Sequence, residues 1–189
     1  MARPLSEEKR AAMLRAATEL VATVGTSAAT SQIAKRAGIA DGTLFTYFPT
    51  KDDLLNQLYL SIKSALAEAI MTDYPSRAGV FERTRHCWDR LVNWGAEHPT
   101  QHKAMRQLSV SDRISENTRD AVNLAFQDIN RMIRDNLNRG AAGDESAAFV
   151  GALIIAMSDV TLDCIAAHPE KIDLYRESGF QVFWNGIRS

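Results

Sequence analysis

Apolar residues recur along this chain at three- and four-residue intervals, and no stretch alternates apolar and polar positions long enough to read as a half-buried strand. The pattern predicts an all-α chain of about nine helices. The first opens at Ser6, a good N-cap, with Glu7 and Glu8 at the positive end of the helix dipole. Its apolar stripe is Met13, Leu14, Ala17, Leu20, Val21 and Val24, and Gly25 ends it. Thr30 is expected to cap a short helix over 30–37 that Gly38 stops. A second short helix follows from about Asp41 to Tyr47, and Pro49 blocks its continuation. Thr50 caps a long fourth helix with the stripe Leu55, Leu58, Ile62, Leu66 and Ile70, lasting to about Thr72 before Pro75. Breakers place the remaining helices near 77–97, 100–109, 115–138, 144–167 and 171–187. The chain has no internal repeat and no low-complexity tract.

Charge changes this picture by region. The whole chain carries 22 Lys and Arg against 23 Asp and Glu, which by itself points to no polyanionic partner. Residues 1–51, however, hold Arg3, Lys9, Arg10, Arg15, Lys35, Arg36 and Lys51 against Glu7, Glu8, Glu19 and Asp41, so a basic end sits on an otherwise acidic chain. Two cysteines, Cys87 and Cys164, are too few for a disulfide framework and suit a reducing cytosol. The opening residues lack the apolar core of a signal peptide. The longest apolar run, Ala147 to Ala156, spans about ten residues where a membrane helix needs roughly 20, so a cytoplasmic protein without membrane contact is expected.

Two short helices joined by a Gly-containing turn and braced by a longer amphipathic helix make a helix-turn-helix, whose second helix enters the major groove. In that helix Leu44 and Phe48 are four apart and face the core, while Thr43 and Tyr47, also four apart, offer hydroxyls to phosphate. The run from Ile33 to Leu55, with Ala37-Gly38-Ile39, Thr43-Leu44-Phe45-Thr46-Tyr47-Phe48 and Lys51-Asp52-Asp53-Leu54-Leu55, resembles the signature of the tetracycline-repressor (TetR) family, and Ala16-Ala17 and Gly25 fit upstream. The recognisable similarity covers about the first 55 residues. It implies that Thr30, Thr43, Tyr47 and Lys51 contact the DNA backbone, that Asp41, Gly42, Phe45 and Thr46 lie nearest the base edges, and that Ser31 belongs to the DNA-binding set. The chemistry agrees at two places. Lys51 falls in the first turn of a helix, beside backbone N–H groups without intrahelical partners, and Gly42 allows the backbone to approach the duplex. Three positions depart from the family wording. Ala40 stands where Ser or Thr often caps, leaving Asp41 either to cap or to accept from a cytosine amino group. Phe45 replaces a usual Tyr and leaves apolar contact, as with a thymine methyl, and Thr46 suits phosphate or base alike. Lys35 and Arg36 also read as a plain solvated pair.

A division into a helix-turn-helix domain over 1–50 and a helical ligand-binding and dimerisation domain over 51–189 follows. The helix over 144–167 is apolar around almost its whole circumference and needs burial all round. Either a second subunit supplies that burial or the helix is the centre of a single chain. On the first reading Gly151, Ala152 and Ala156 permit close approach, Phe149 and Ile155 add apolar area, and the last helix contributes Tyr175, Gly179, Val182, Phe183 and Gly186. The family resemblance implies a four-helix bundle of these two helices and their symmetry mates. A small-molecule pocket is expected among the middle helices, with Trp88, Leu91, Met105, Phe126 and Met132 as walls or as ordinary core. Asp159 and Asp163, four apart, either attract a cationic ligand or form a solvated strip. No metal or cofactor is expected, because Cys164 and His168 make only two ligands of the four a structural zinc needs.

Three function classes result. The first is a repressor that binds a pseudo-palindromic operator in double-stranded DNA as a homodimer and is released by an unknown small-molecule ligand. The second is an enzyme, for which the chain offers no Gly-rich phosphate loop, nucleophile elbow or metal motif. The third is a dimeric interaction module, or a regulator that answers to no small ligand.

Overall fold

The structure is a computed structural model that describes residues 6–131 and 144–187, and no strand occurs among the described residues. Its helices are α1 (Glu7–Val24), α2 (Thr30–Arg36), α3 (Asp41–Tyr47), α4 (Lys51–Met71), α5 (Val80–Glu97), α6 (Pro99–Ser109), α7 (Glu116–Ala125), α8 (Asp144–Ala167) and α9 (Ile172–Ile187). Most boundaries fall at the breakers. Gly25 caps α1 at φ 71°, and Pro99 occupies the first turn of α6, where its missing N–H removes no helical bond. The helix expected over 115–138 is interrupted instead: α7 ends at Ala125, Phe126 is a turn, and helix resumes over 127–131. Phe126 is no breaker, so the pattern carries no sign of that turn.

By packing, the chain forms two units. The first takes the residues through Ser64 together with His98–Asn123, and the second takes Ala65–Glu97 with the residues from Leu124 onward. The unit holding the helix-turn-helix therefore runs past residue 50 into α4 and includes α6.

In the first unit α1 packs on α2 and α6. Its core holds Met13, Ala17 and Val21 of α1, Ile33 of α2, Leu44 of α3, Leu54, Leu55 and Leu58 of α4, and Leu108 of α6. Val24, expected on the buried stripe, is half exposed, although Val21 in the same last turn is fully buried. The α4 stripe is buried throughout, from Leu55 to Ile70.

In the second unit α8 packs on α5 and α9 around Trp88, Val92, Leu162, Ile165, Phe180 and Phe183. Trp88 stacks on Phe183 at 6.0 Å between centroids and 12° between planes, and its indole N–H donates to the Arg176 carbonyl at 2.8 Å. Satisfying that one polar atom lets the whole ring be buried. Arg85 of α5 lies over the Phe180 ring at 4.7 Å and donates to Asp89 at 2.8 Å and to Glu177 at 2.6 Å, joining α5 to α9 at the edge of this core. The segment Phe149–Ala167 has a mean hydropathy of 1.8, long and apolar enough by composition to cross a membrane, which the count of uninterrupted apolar residues did not suggest. It carries Asp159 and Asp163, and only 22% of it is buried within its own chain.

Candidate nucleic-acid interface

The turn between α2 and α3 is set by glycine. Gly38 takes φ 71°, where its N–H bonds to the Lys35 carbonyl at 3.2 Å and the Ile39 N–H reaches back to the Ala34 carbonyl at 3.0 Å. This pair of bonds closes α2 with a left-handed residue that a side chain would strain. Neither short helix has a side-chain cap. Ala29 and Ala40 occupy the two N-cap positions, so Thr30, expected to cap, is instead the first residue of α2, and Asp41, one of whose two readings was capping, is the first of α3 and makes no capping bond.

Around α3 the surface divides cleanly. Leu44 and Phe48 are fully buried. Asp41, Gly42, Phe45 and Thr46 are exposed and share one face, as positions i, i+1, i+4 and i+5 must. Thr43 and Tyr47 are half-buried and flank that face. Phe45 is 45% exposed, a large apolar ring left in solvent on a seven-residue helix. The Thr46 hydroxyl donates to the Gly42 carbonyl at 3.3 Å, within its own helix. Ser31 is exposed and Thr30 half-buried in the first turn of α2.

Two contacts hold this face in place, the first unread in the sequence and the second built on the expected Thr50 cap. The Ser6 N–H donates to the Tyr47 hydroxyl at 2.9 Å, tying the start of α1 to the end of α3. At the start of α4, Thr50 Oγ1 accepts from the Asp53 N–H at 3.0 Å while Asp53 Oδ2 accepts from the Thr50 N–H at 3.0 Å. This reciprocal capping box was visible as Thr-x-x-Asp. Lys51, the first residue of α4, is half-buried. Desolvation and then the neighbouring Arg113 guanidinium hold its ammonium below the ordinary lysine value, with Asp52 opposing them.

The residues expected to wall a pocket fall in both packing units. Trp88 and Leu91 are interior to the second unit, and Trp88 is closed in by Phe180 and Phe183. Met105 is buried in the first unit. Phe126 is half-buried at its turn, Asp159 is half-buried and Asp163 exposed on α8, and Met132 lies outside the described residues. Helical spacing marks an inward face equally for core and for cavity wall, so it separated neither.

The residues expected to face a second subunit divide similarly. Phe149, Ala152, Ile155 and Ala156 of α8 and Val182 and Gly186 of α9 are exposed, joined by Val160 at 65% exposure, while Gly151 and Tyr175 are half-buried. Gly179 and Phe183 point inward instead. A Cβ on Gly179 would stand 2.6 Å from the Trp88 ring and 2.5 Å from Thr161 Oγ1, and Phe183 is 2% exposed. Because α9 is apolar on two sides, helical spacing offers no means of choosing between them.

Residues 13–58 match the model of bacterial regulatory proteins of the tetR family. An uncharacterised HTH-type transcriptional regulator of Haemophilus influenzae is 30% identical over 76 residues, 40% of this chain and 41% of that protein. The fatty acid metabolism regulator protein of Bacillus subtilis is 35% identical over 72 residues, 38% of this chain and 37% of that protein. The chain thus spans about two fifths of the length of the curated relatives it matches. A crystal structure of a tetR family transcription regulator from Shewanella sp. PV-4 superposes with a TM-score of 0.83 over 96% of this chain and 98% of that one, at 27% identity. A transcriptional regulator FadR from Bacillus subtilis, crystallised with stearoyl-CoA, superposes with a TM-score of 0.69 over 92% of this chain and 97% of that one, at 19% identity.

Proposed function

The chain belongs to the tetR family of bacterial regulatory proteins, and on that premise we propose that it is a cytoplasmic transcription repressor that grips a pseudo-palindromic operator as a homodimer and releases it when a small molecule binds. The observation that carries this reading is the division of α3: a buried Leu44 and Phe48 behind, an exposed Asp41, Gly42, Phe45 and Thr46 in front. Phe45 offers an apolar edge to a thymine methyl, and Asp41, free of capping duty, offers an acceptor to a cytosine amino group. Thr43, Tyr47 and Lys51, with Thr30 and Ser31, hold the backbone and fix the register.

Few side chains read bases in each copy, so one copy binds weakly and two copies related by a two-fold axis double the contacts. The exposed apolar face of α8, with Val182 and Gly186 of α9, is the surface on which the copies meet. Response to a small molecule is supported by the fold shared with FadR, which was crystallised with stearoyl-CoA. The chain crosses from the first packing unit to the second within α4, so a ligand that resets the end of α4 acts on the helix that begins with Lys51. For that the ligand must favour the DNA-free state.

The test is binding of the purified protein to DNA selected from a random pool, repeated across salt concentrations. A palindromic consensus and a steep salt dependence are expected, and Lys51→Ala should weaken all sequences alike and lower the salt slope by about one. Selection that yields no consensus overturns the reading.

A further inference from the structure

The loop between α6 and α7 belongs to the same packing unit as the helix-turn-helix and reaches the start of α4. Asn56 clasps it from both sides: its amide donates to the Arg113 carbonyl at 2.8 Å, and its Oδ1 accepts from the Ser115 N–H at 2.9 Å. Held this way, Arg113 Nη1 donates to Asp52 Oδ1 at 2.7 Å, while its side chain stays 45% exposed. The first turn of α4 alone carries Lys51, Asp52 and Asp53, one positive charge and two negative, a poor surface to bring against a polyanion. Asp53 is occupied in the capping box, and Arg113 faces Asp52.

We propose that Arg113, from outside the helix-turn-helix, is a further DNA-backbone residue: it offsets Asp52 and supplies a second cation beside Lys51 for the phosphates at the start of α4. Two like charges held near each other are unfavourable in the free protein, and burial and the nearby Arg113 both lower the proton affinity of Lys51. A phosphate between them removes that repulsion. The clasp by Asn56 fixes the loop before DNA arrives, so little ordering remains for the bound state. The inference rests on the DNA-binding reading above.

The experiment is the salt dependence of binding to the selected duplex by the full chain and its variants. Arg113→Gln should lower the slope by about one and weaken binding about fivefold at 0.15 M salt, and Arg113→Lys, which keeps the charge, should keep the slope. An unchanged slope in Arg113→Gln, or a lowered slope in Arg113→Lys, overturns the proposal. Asp52→Asn added to Arg113→Gln should leave the slope low; full recovery of affinity and slope would reduce Arg113 to a screen for Asp52 and sink its phosphate role. Lys51→Ala separates the two levels of argument. If it lowers the slope and Arg113→Gln does not, only Arg113 is wrongly placed; if neither does, Lys51 leaves the site as well. The DNA-binding reading itself fails if the unaltered chain selects no consensus.

Discussion

The front of α3 and the outer face of α8 are both uncovered by their own chain, yet they are built for opposite solvents. On α3 the exposed set is one carboxylate, one glycine, one hydroxyl and one ring, on a seven-residue helix too short to stand without the buried Leu44 and Phe48 behind it. On α8 the exposed set among the described side chains is Phe149, Ala152, Ile155, Ala156, Val160, Ala166 and Ala167, with Asp163 as its one carboxylate, on a helix 24 residues long. Polar groups left in water are satisfied there and can exchange water for a base or phosphate. Apolar groups left in water are not, and an exposed stripe of this length marks a surface that another apolar surface covers. On the proposed reading, specificity and assembly sit on separate helices, in separate packing units.

The sharpest way to break this comparison is to damage the interior that supports α8. Trp88→Ala removes a fully buried ring and one indole hydrogen bond, and should cost about 3–5 kcal/mol in a denaturant melt. A loss below 1 kcal/mol would mean that α5 and α9 do not close on that ring. Ala156→Glu on the outer face should leave the subunit folded but place a carboxylate where burial is needed. Sedimentation should then show a monomer, and operator affinity should fall by roughly a hundredfold. A variant that stays dimeric would take α8 out of the interface. Thr50→Ala, on the DNA side, opens the capping box and should cost about 1 kcal/mol, with a lower melting temperature and weaker operator binding.

The smallest effect expected is chemical. Burial, the first cause, pushes the Cys87 thiol from an ordinary 9.0 up to about 12, with Arg83 opposing it. A raised thiol pKa means that folding favours the neutral form, so its contribution to stability is complete below about pH 9 and is lost as pH rises toward about 12. At pH 8 iodoacetamide should modify the half-buried Cys164 well before Cys87, as peptide mass mapping can measure. Equal rates would show that the α5 interior opens readily.

The helices were legible because Gly25, Gly38, Pro49, Pro99 and Pro169 stand at their ends, and a breaker acts locally whatever the tertiary context. The two faces of α3 were legible for a related reason: with Leu44 and Phe48 four apart, only one orientation buries both. What was not legible depends on distant partners. Gly179 and Phe183 read as surface until Trp88, some ninety residues earlier, is seen pressed against them. Arg113 carries no local signal, since its partner Asp52 is 61 positions away. The caps of α2 and α3 failed on a shift of one residue, finer than apolar spacing resolves.

The bond from the Ser6 N–H to the Tyr47 hydroxyl gives the molecule a reporter of its own. The phenol oxygen accepts from Ser6, which on the proposed DNA-binding reading leaves its O–H as the group to offer a phosphate. One amide at the head of α1 is therefore shielded from solvent hydrogen by a ring that DNA would hold still. Deuterium uptake at Ser6 should slow on operator binding and quicken on release, so occupancy of the recognition helix can be followed at a single backbone position without a label on either partner.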